Sequence, residues 1–135
     1  HEDYQIDVEC EEFILVHMDV RLIIQVLVNL IDNAIKYTLP GSKICIRGIK
    51  KDGQAQISVA DNGPGISDEV KPHIFEMFYT GNNTIADSHR SLGLGLSLCR
   101  SIIEAHGGTL VLTDNIPRGC MFTFTLPLSE VILNE

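Results

Sequence analysis

The 135-residue chain contains no tryptophan, and aromatic residues make up only 6% of it. It also has no long hydrophobic run. Even its most apolar segment, residues 20–36, is interrupted by Arg21, Gln25, Asn29 and Asp32, and falls short of the roughly 18 consecutive apolar residues of a membrane span. The polar, acidic N-terminus lacks the pattern of a signal peptide. We therefore expect that this domain itself makes no membrane contact. Its abrupt start leads us to expect a fragment of a longer protein.

Positive charge is scarce as well. Ten Lys and Arg residues face 18 Asp and Glu residues, so the net charge is −8. Such a balance argues against a nucleic-acid partner, which needs clustered basic residues. It does not exclude a nucleotide, because one small pocket can be locally positive in an acidic domain.

Cysteine is also sparse. The four cysteines are scattered through apolar segments with no Cys-x-x-Cys pair, which indicates buried thiols in a reducing compartment rather than disulfides or a zinc site. They are Cys10, Cys45, Cys99 and Cys120.

The length of 135 residues predicts one domain over residues 1–135, large enough for a real core. Alternating segments predict strands at 4–9, 13–18, 42–50, 54–60, 109–115 and 120–127, with a hairpin turn at Asp52-Gly53. Helical spacing predicts helices at 19–37, 70–78 and 96–106. The order indicates an α+β fold: a two-layer sandwich with a mixed, mostly antiparallel sheet and about three helices on one face.

The first helix carries one polar stripe on an otherwise apolar surface. Gln25, Asn29, Asn33 and Lys36 return to nearly the same side at about 100° per residue. Buried polar groups cost free energy unless they are paired. The stripe either faces solvent or binds something outside the helix. Carboxamide oxygens suit a hydrated Mg²⁺ ion and a Lys suits phosphate.

A glycine-rich segment, Asp61-Asn62-Gly63-Pro64-Gly65-Ile66, directly follows a predicted strand. Asn-Gly and Pro-Gly explain a tight turn by themselves. Alternatively, Asp61 is a fixed acceptor for the exocyclic amine of adenine, and the glycines let the backbone approach a planar base.

A second glycine motif, Gly93-Leu94-Gly95-Leu96, opens the last predicted helix. It matches an ordinary helix start, or a phosphate site at the positive end of the helix dipole. The long polar stretch before it, residues 80–90, suits a functional lid. Phe75 and Phe78 are spaced as core aromatics would be on a helix.

In this order and spacing, the motifs resemble the four sequence boxes of the catalytic, ATP-binding domain of sensor histidine kinases. These boxes are Asn29-x-x-x-Asn33, Asp61-x-Gly-x-Gly65, Phe75-x-x-Phe78 and Gly93-x-Gly95. This domain has the Bergerat fold, which is shared with gyrase, Hsp90 and MutL. The resemblance covers residues 12–128. Within the family, residues 29–38 and 99–108 most resemble the potassium-responsive sensor kinases.

The resemblance implies roles for the first helix. Asn29 and Asn33 would hold Mg²⁺ against the phosphates of ATP. Lys36 would contact phosphate, and Tyr37 the edge of the nucleotide. Asn29, Asn33 and Lys36 would be the catalytic residues.

It also implies how the rest of the site binds the nucleotide. Asp61 would bind the adenine amine, partly through water, and residues 80–92 would form the ATP lid. Gly93 and Gly95 would bind phosphate through their amides. The other nucleotide-binding residues would be Gly63, Gly65, Ile66, Arg90, Leu92, Leu94 and Leu96.

Three positions depart from the family pattern. Asn29 stands where hydrolysing relatives have a glutamate base, and Asn cannot accept a proton, so we expect little ATP hydrolysis. Thr80 stands where a basic residue often occurs, which leaves Arg90 or Lys36 to supply that charge. Cys120 replaces the threonine that binds the adenine-contacting water in gyrase, which weakens that contact.

The chain lacks a His-Glu/Asp-x-x-x-Pro phosphoacceptor motif and should not phosphorylate itself. The resemblance implies transfer of the γ-phosphoryl group to a histidine on a separate dimerisation domain of the same dimeric protein. A response regulator would act downstream. It further implies the cytoplasmic domain of an inner-membrane sensor kinase. A degenerate or regulatory ATP-binding module and an anti-sigma-type serine kinase remain alternatives.

Overall fold

The computed structural model describes residues 5–10, 14, 16, 18–36, 38, 40–76 and 94–128. Five strands and two α-helices lie in these ranges, together with a single 3-10 turn at Lys71–His73. In chain order the regular elements are β1 (Gln5–Cys10), α1 (Val20–Lys36), β2 (Lys43–Lys51), β3 (Gln54–Asp61), α2 (Leu94–Ala105), β4 (Leu110–Asp114) and β5 (Cys120–Pro127). Of the predicted strand 13–18, the described part shows one isolated antiparallel bridge, between Val16 and Leu128.

The strands form one sheet in the order β1-β2-β3-β5-β4. Only β1 and β2 run parallel; the other three pairs are antiparallel, as predicted. The β2–β3 hairpin turns at Asp52 and Gly53, whose φ angles are 55° and 78°. Two positive φ angles in succession match the right-handed twist of hairpin strands, which explains the Asp-Gly pair.

The α+β sandwich is confirmed. Ile44, Val59 and Phe122 occupy neighbouring positions on one side of the sheet and are buried. That side forms a single core with α1 and α2. Aliphatic side chains dominate this core; its fully buried members include Val26, Leu30, Ile44, Val59, Ile103, Leu110, Phe122, Phe124 and Leu126.

Helix α1 begins where its sequence predicts. The Asp19 Oδ1 atom accepts hydrogen bonds from the backbone N–H groups of Arg21 (3.0 Å) and Leu22 (3.4 Å). The side chain therefore caps two of the donors that a helix N-terminus leaves unpaired. In the described residues no helix has the length and hydrophobicity required to cross a membrane.

The prediction of a third helix at 70–78 is wrong. Residues 71–73 form one 3-10 turn, and the described continuation to residue 76 is irregular. Ile74 and Phe75 reach the core from this short segment, so burial of its apolar side chains does not require a helix. Instead, the Lys71 Nζ atom ties this segment to β4 through a 2.6 Å ion pair with Asp114, and it forms a second 2.6 Å ion pair with the nearby Asp68.

The two α-helices are held together at one end by His106. Its Nε2 atom accepts a 3.1 Å hydrogen bond from the Asp19 backbone N–H. Its Nδ1 atom donates to the Ile102 carbonyl oxygen at 2.8 Å. Farther along, the Cys99 thiol lies against the Val26 carbonyl oxygen, 3.9 Å away. The helices thus run antiparallel, and the first turn of α2 lies beside the last turns of α1.

Candidate nucleotide site

The polar stripe of α1 divides into an exposed and a half-buried part. Gln25 is exposed, whereas Asn29 and Asn33 are half-buried, on the part of α1 that lies beside α2. The Asn33 Nδ2 atom is buried and has no hydrogen-bond partner among the described residues. Because a buried, unpaired amide costs about 1–3 kcal/mol, a polar ligand at this position would compensate for it.

The Asn29 side chain contacts the thiol of Cys99 on α2. Burial raises the pKa of Cys99 to about 11, and a hydrogen bond from Asn29 acts in the opposite direction. Asn29 and Cys99 thus face each other between α1 and α2.

The first turn of α2 lies near these two amides. Gly95 is half-buried, and Leu96, which is 8% exposed, packs into the core. Asn29, Asn33, Gly95 and Leu96 thus lie on the parts of α1 and α2 that run beside each other. The structure describes the backbone of Lys36 and Leu94 but not their side chains. Four other predicted site residues lie outside the described ranges: Tyr37, Arg90, Leu92 and Gly93.

Asp61 ends β3 with its carboxylate inside the protein, only 3% exposed. Its Oδ1 atom accepts from the backbone N–H groups of Gly63 (2.9 Å) and Cys120 (3.4 Å). Its Oδ2 atom accepts from the Cys120 thiol at 3.1 Å. A buried carboxylate has to be paired in this way. The thiol contact was not predicted from the sequence.

The β4–β5 turn supports Asp61 from the other side. Asn115 Nδ2 donates to the Asp61 carbonyl oxygen at 2.7 Å. Arg118 Nε donates to the Gly63 carbonyl oxygen at 3.0 Å. At Gly119, φ is +105°, and a Cβ atom would lie 1.9 Å from the Asp61 carbonyl oxygen. The sequence indicated only a turn here, because nothing in Pro117-Arg118-Gly119 shows which loop it will meet.

The glycine-rich segment after Asp61 fits tightly against this turn. Gly65 has φ of +86°, and a Cβ atom there would lie 3.4 Å from the Gly119 carbonyl oxygen. Gly63 and Ile66 are buried. Residues 64–67 and 114–119 line a cleft of 590 Å³ between the two segments. The glycines thus permit the close backbone packing that keeps Asp61 in place.

Phe75 belongs to the core rather than to the site. Its ring packs edge-on against Phe122, with centroids 6.0 Å apart, and the Arg100 guanidinium carbon lies 4.9 Å from its centroid. This agrees with the structural interpretation of the Phe75-x-x-Phe78 motif. Phe78 lies outside the described residues.

The donor set of α1 fits a hydrated Mg²⁺ ion beside phosphate. Carboxamide oxygens are hard ligands of the kind that Mg²⁺ accepts while it keeps several waters. The unpaired Asn33 Nδ2 atom is a donor and suits a phosphate oxygen, whereas the side-chain oxygens of Asn29 and Asn33 are the atoms that suit the ion. Asn29 and Asn33 are thus the described residues that would hold the ion.

The fold and the site define a class of protein: a two-layer α+β domain with an amide pair on its first helix and a buried aspartate at a strand end. Residues 18–130 match the family model described as histidine kinase-, DNA gyrase B-, and HSP90-like ATPase. The chain belongs to this family.

Sensor histidine kinases are among its similar proteins. It is 43% identical over 117 residues to the sensor protein KdpD of Clostridium acetobutylicum, spanning 87% of this chain and 13% of KdpD. It is 45% identical over 115 residues to the adaptive-response sensory kinase SasA of Crocosphaera subtropica, spanning 84% of this chain and 29% of SasA. The chain thus spans less than a third of either relative.

Solved structures agree with these relatives. The catalytic domain of histidine kinase ThkA superposes with a TM-score of 0.79 at 36% identity, covering 93% of this chain and 79% of that one. ThkA has also been solved in complex with response regulator protein TrrA. The fold is therefore that of a histidine kinase catalytic domain.

Proposed function

We propose that this domain binds Mg-ATP and donates the γ-phosphoryl group to a histidine on a separate dimerisation domain, as part of a two-component signalling system. One observation supports this most directly. The Asp61 carboxylate is buried at the end of β3, and its three donors leave it an acceptor for a base amine. A buried carboxylate fixed by backbone donors is preorganised for such recognition.

The residues of α1 and α2 would act on the phosphate end. Asn29 and Asn33 would hold Mg²⁺, which supplies positive charge against the phosphates. Lys36 would add a cation, and the amides at the start of α2 would donate to phosphate oxygens. Asn29 has no basic atom for activating water, which favours transfer to an acceptor side chain over hydrolysis.

A reconstituted phosphotransfer reaction tests the proposal. The chain is mixed with the dimerisation domain of the same parent protein, Mg²⁺ and γ-labelled ATP, and acid-labile label on that domain is measured. We expect phosphohistidine to form, and Asn33→Ala to reduce its rate at least tenfold. Gln25→Ala is the matched control, because Gln25 lies on the same stripe but is exposed.

The possible outcomes separate the alternatives. Nucleotide binding without phosphohistidine would contradict phosphotransfer and favour a regulatory binding module. Acid-stable label on a serine of a partner protein would favour an anti-sigma-type serine kinase. Failure to bind nucleotide at all would contradict the whole proposal.

The partners and setting follow from the same proposal. We infer a response regulator as the next phosphoryl acceptor, in line with the ThkA–TrrA complex. The similarity to KdpD makes potassium or osmotic stress the stimulus to test first. Because ATP is the substrate, the domain would work in the cytoplasm, as part of a sensor kinase in the inner membrane.

A further inference from the structure

Asp61 and Cys120 form a buried pair at the end of the sheet. In the β3–β5 register, Ala60 pairs with Met121, and the next positions along the two strands are Asp61 and Cys120. Both side chains point into the core side, at 3% and 1% exposure. The short distance of 3.1 Å between Sγ and Oδ2 makes the thiol a direct partner of the carboxylate, without an intervening water.

The thiol is the donor in this contact. Burial, with the Asp61 carboxylate as the next cause, raises the pKa of Cys120. The sulfur therefore keeps its proton at neutral pH, and an S–H group beside a carboxylate can only donate to it. A hydrogen bond to an ionised acceptor is stronger than a neutral one, so the contact orients the carboxylate despite the weak donor.

The donors around Asp61 leave one acceptor direction unused, at Oδ2. A carboxylate oxygen accepts two hydrogen bonds in favourable directions. The two backbone N–H groups of Gly63 and Cys120 use both directions at Oδ1. The thiol uses one at Oδ2. The remaining direction at Oδ2 has no donor among the described residues.

We propose that Cys120 is a positioning residue for base recognition: its thiol holds the Asp61 carboxylate so that Oδ2 presents one free acceptor site to the 6-amino group of a purine. This inference rests on the proposed nucleotide function and deepens it. In this proposal the Cys120 thiol does the work of the threonine hydroxyl that it replaces. The sequence had led us to expect a weakened contact to the base at this position. The free acceptor at Oδ2 also makes the site selective for purines that carry the amino group.

Two ligands distinguish positioning from a general structural effect. ADP carries the 6-amino group, whereas purine riboside 5′-diphosphate has hydrogen there and is otherwise the same. Isothermal titration calorimetry measures both on the wild type, Cys120→Val and Cys120→Ser. Cys45→Val is the matched control, a second thiol removed from the same sheet at a position outside the site.

We expect Cys120→Val to weaken ADP binding about fivefold, because the loss of one hydrogen bond is about 1 kcal/mol. Binding of purine riboside diphosphate should change less than twofold, since it makes no contact with Oδ2. Cys120→Ser restores a donor and should recover ADP binding to within twofold of the wild type. Cys45→Val should bind both ligands like the wild type.

Other results would overturn the inference. Unchanged ADP binding in Cys120→Val, or an equal loss of both ligands, contradicts positioning while leaving the proposed function intact. Wild-type protein that binds neither ligand contradicts the proposed function itself. If Cys120→Val does not fold, the S–H stretching band of the wild type, identified by its absence in Cys120→Ser, decides the question. A band that ADP does not shift excludes the thiol from base recognition.

Discussion

The contact between the β4–β5 turn and Asp61 depends on the absence of a side chain at Gly119. An Ala Cβ atom would lie 1.9 Å from the Asp61 carbonyl oxygen and 2.9 Å from its Oδ1 atom. Both atoms belong to the residue that we assign to the base. Gly119→Ala should therefore damage stability and nucleotide binding together. Gly53→Ala is the matched control, because φ there is also positive, at +78°, and its Cβ would meet nothing within 4 Å.

The expected magnitudes follow from these surroundings. Forcing an L-residue into the left-handed region costs roughly 1–2 kcal/mol, and this applies to both variants. In Gly119→Ala the turn also has to move away from β3. That movement breaks the two hydrogen bonds from the turn to the Asp61 segment, 2.7 Å from Asn115 Nδ2 to the Asp61 carbonyl oxygen and 3.0 Å from Arg118 Nε to the Gly63 carbonyl oxygen, at about 1 kcal/mol each. We expect a loss of about 3–4 kcal/mol, against about 1–2 for the control.

Urea denaturation and ADP calorimetry measure the two effects. ADP binding should weaken at least tenfold in Gly119→Ala and stay within twofold of the wild type in Gly53→Ala. Equal stability losses in the two variants would show that the clash is relieved elsewhere. Wild-type ADP affinity in Gly119→Ala would refute the assignment of this end of β3 to the base.

Three further predictions concern single side chains. Asp61→Asn replaces one carboxylate oxygen by an amide donor, at an atom that accepts from the Cys120 thiol or from a backbone N–H group. ADP affinity measured by calorimetry should therefore fall at least tenfold, about 1.4 kcal/mol. Unchanged affinity would remove Asp61 from the site. Asp19→Ala removes the cap of α1 and should lower the free energy of unfolding by about 1 kcal/mol in urea, whereas Asp19→Asn, which keeps an acceptor, should lose less than half of that. Burial raises the Cys99 pKa from 9.0 to about 11, so between these pH values the unfolded chain binds fewer protons than the folded one, and stability should fall by up to about 1.4 kcal/mol per pH unit. Cys99→Val should flatten that alkaline slope, and an unchanged slope would assign the loss to other groups.

Local patterns in the sequence predicted the regular elements well. The Asp19 cap, the Asp52-Gly53 turn and the alternation in β2 and β3 are each determined by residues a few positions apart. The helix predicted at 70–78 was wrong because apolar spacing alone does not determine a short helix: Ile74 and Phe75 reach the core from one 3-10 turn and its irregular continuation.

The candidate site was predictable only in part. Asp61 and the amides of α1 stand out in the sequence, since polar groups in apolar segments need partners. Asn115, Arg118 and Gly119 did not, because their role depends on a contact between segments more than 50 residues apart. The thiol bond of Cys120 has the same origin. The pairing of β3 with β5 brings Cys120 beside Asp61. Buried cysteine usually behaves as a small apolar residue, so the sequence did not indicate a hydrogen-bond donor here.

Helix α1 contributes to the core and to the site along the same 17 residues. Val26 and Leu30 are fully buried in the core. Asn29 directly precedes Leu30 in the helix, and Asn33 lies about one turn further on. We expect the slowest-exchanging backbone N–H groups of α1, those around Val26 and Leu30, to exchange only when the whole domain unfolds, because these side chains belong to the fully buried core. A bound nucleotide therefore slows their hydrogen exchange by the same factor by which it lowers the unfolded population. The hydrogen-exchange rate of α1 is therefore a direct measure of how much of the site is occupied by nucleotide.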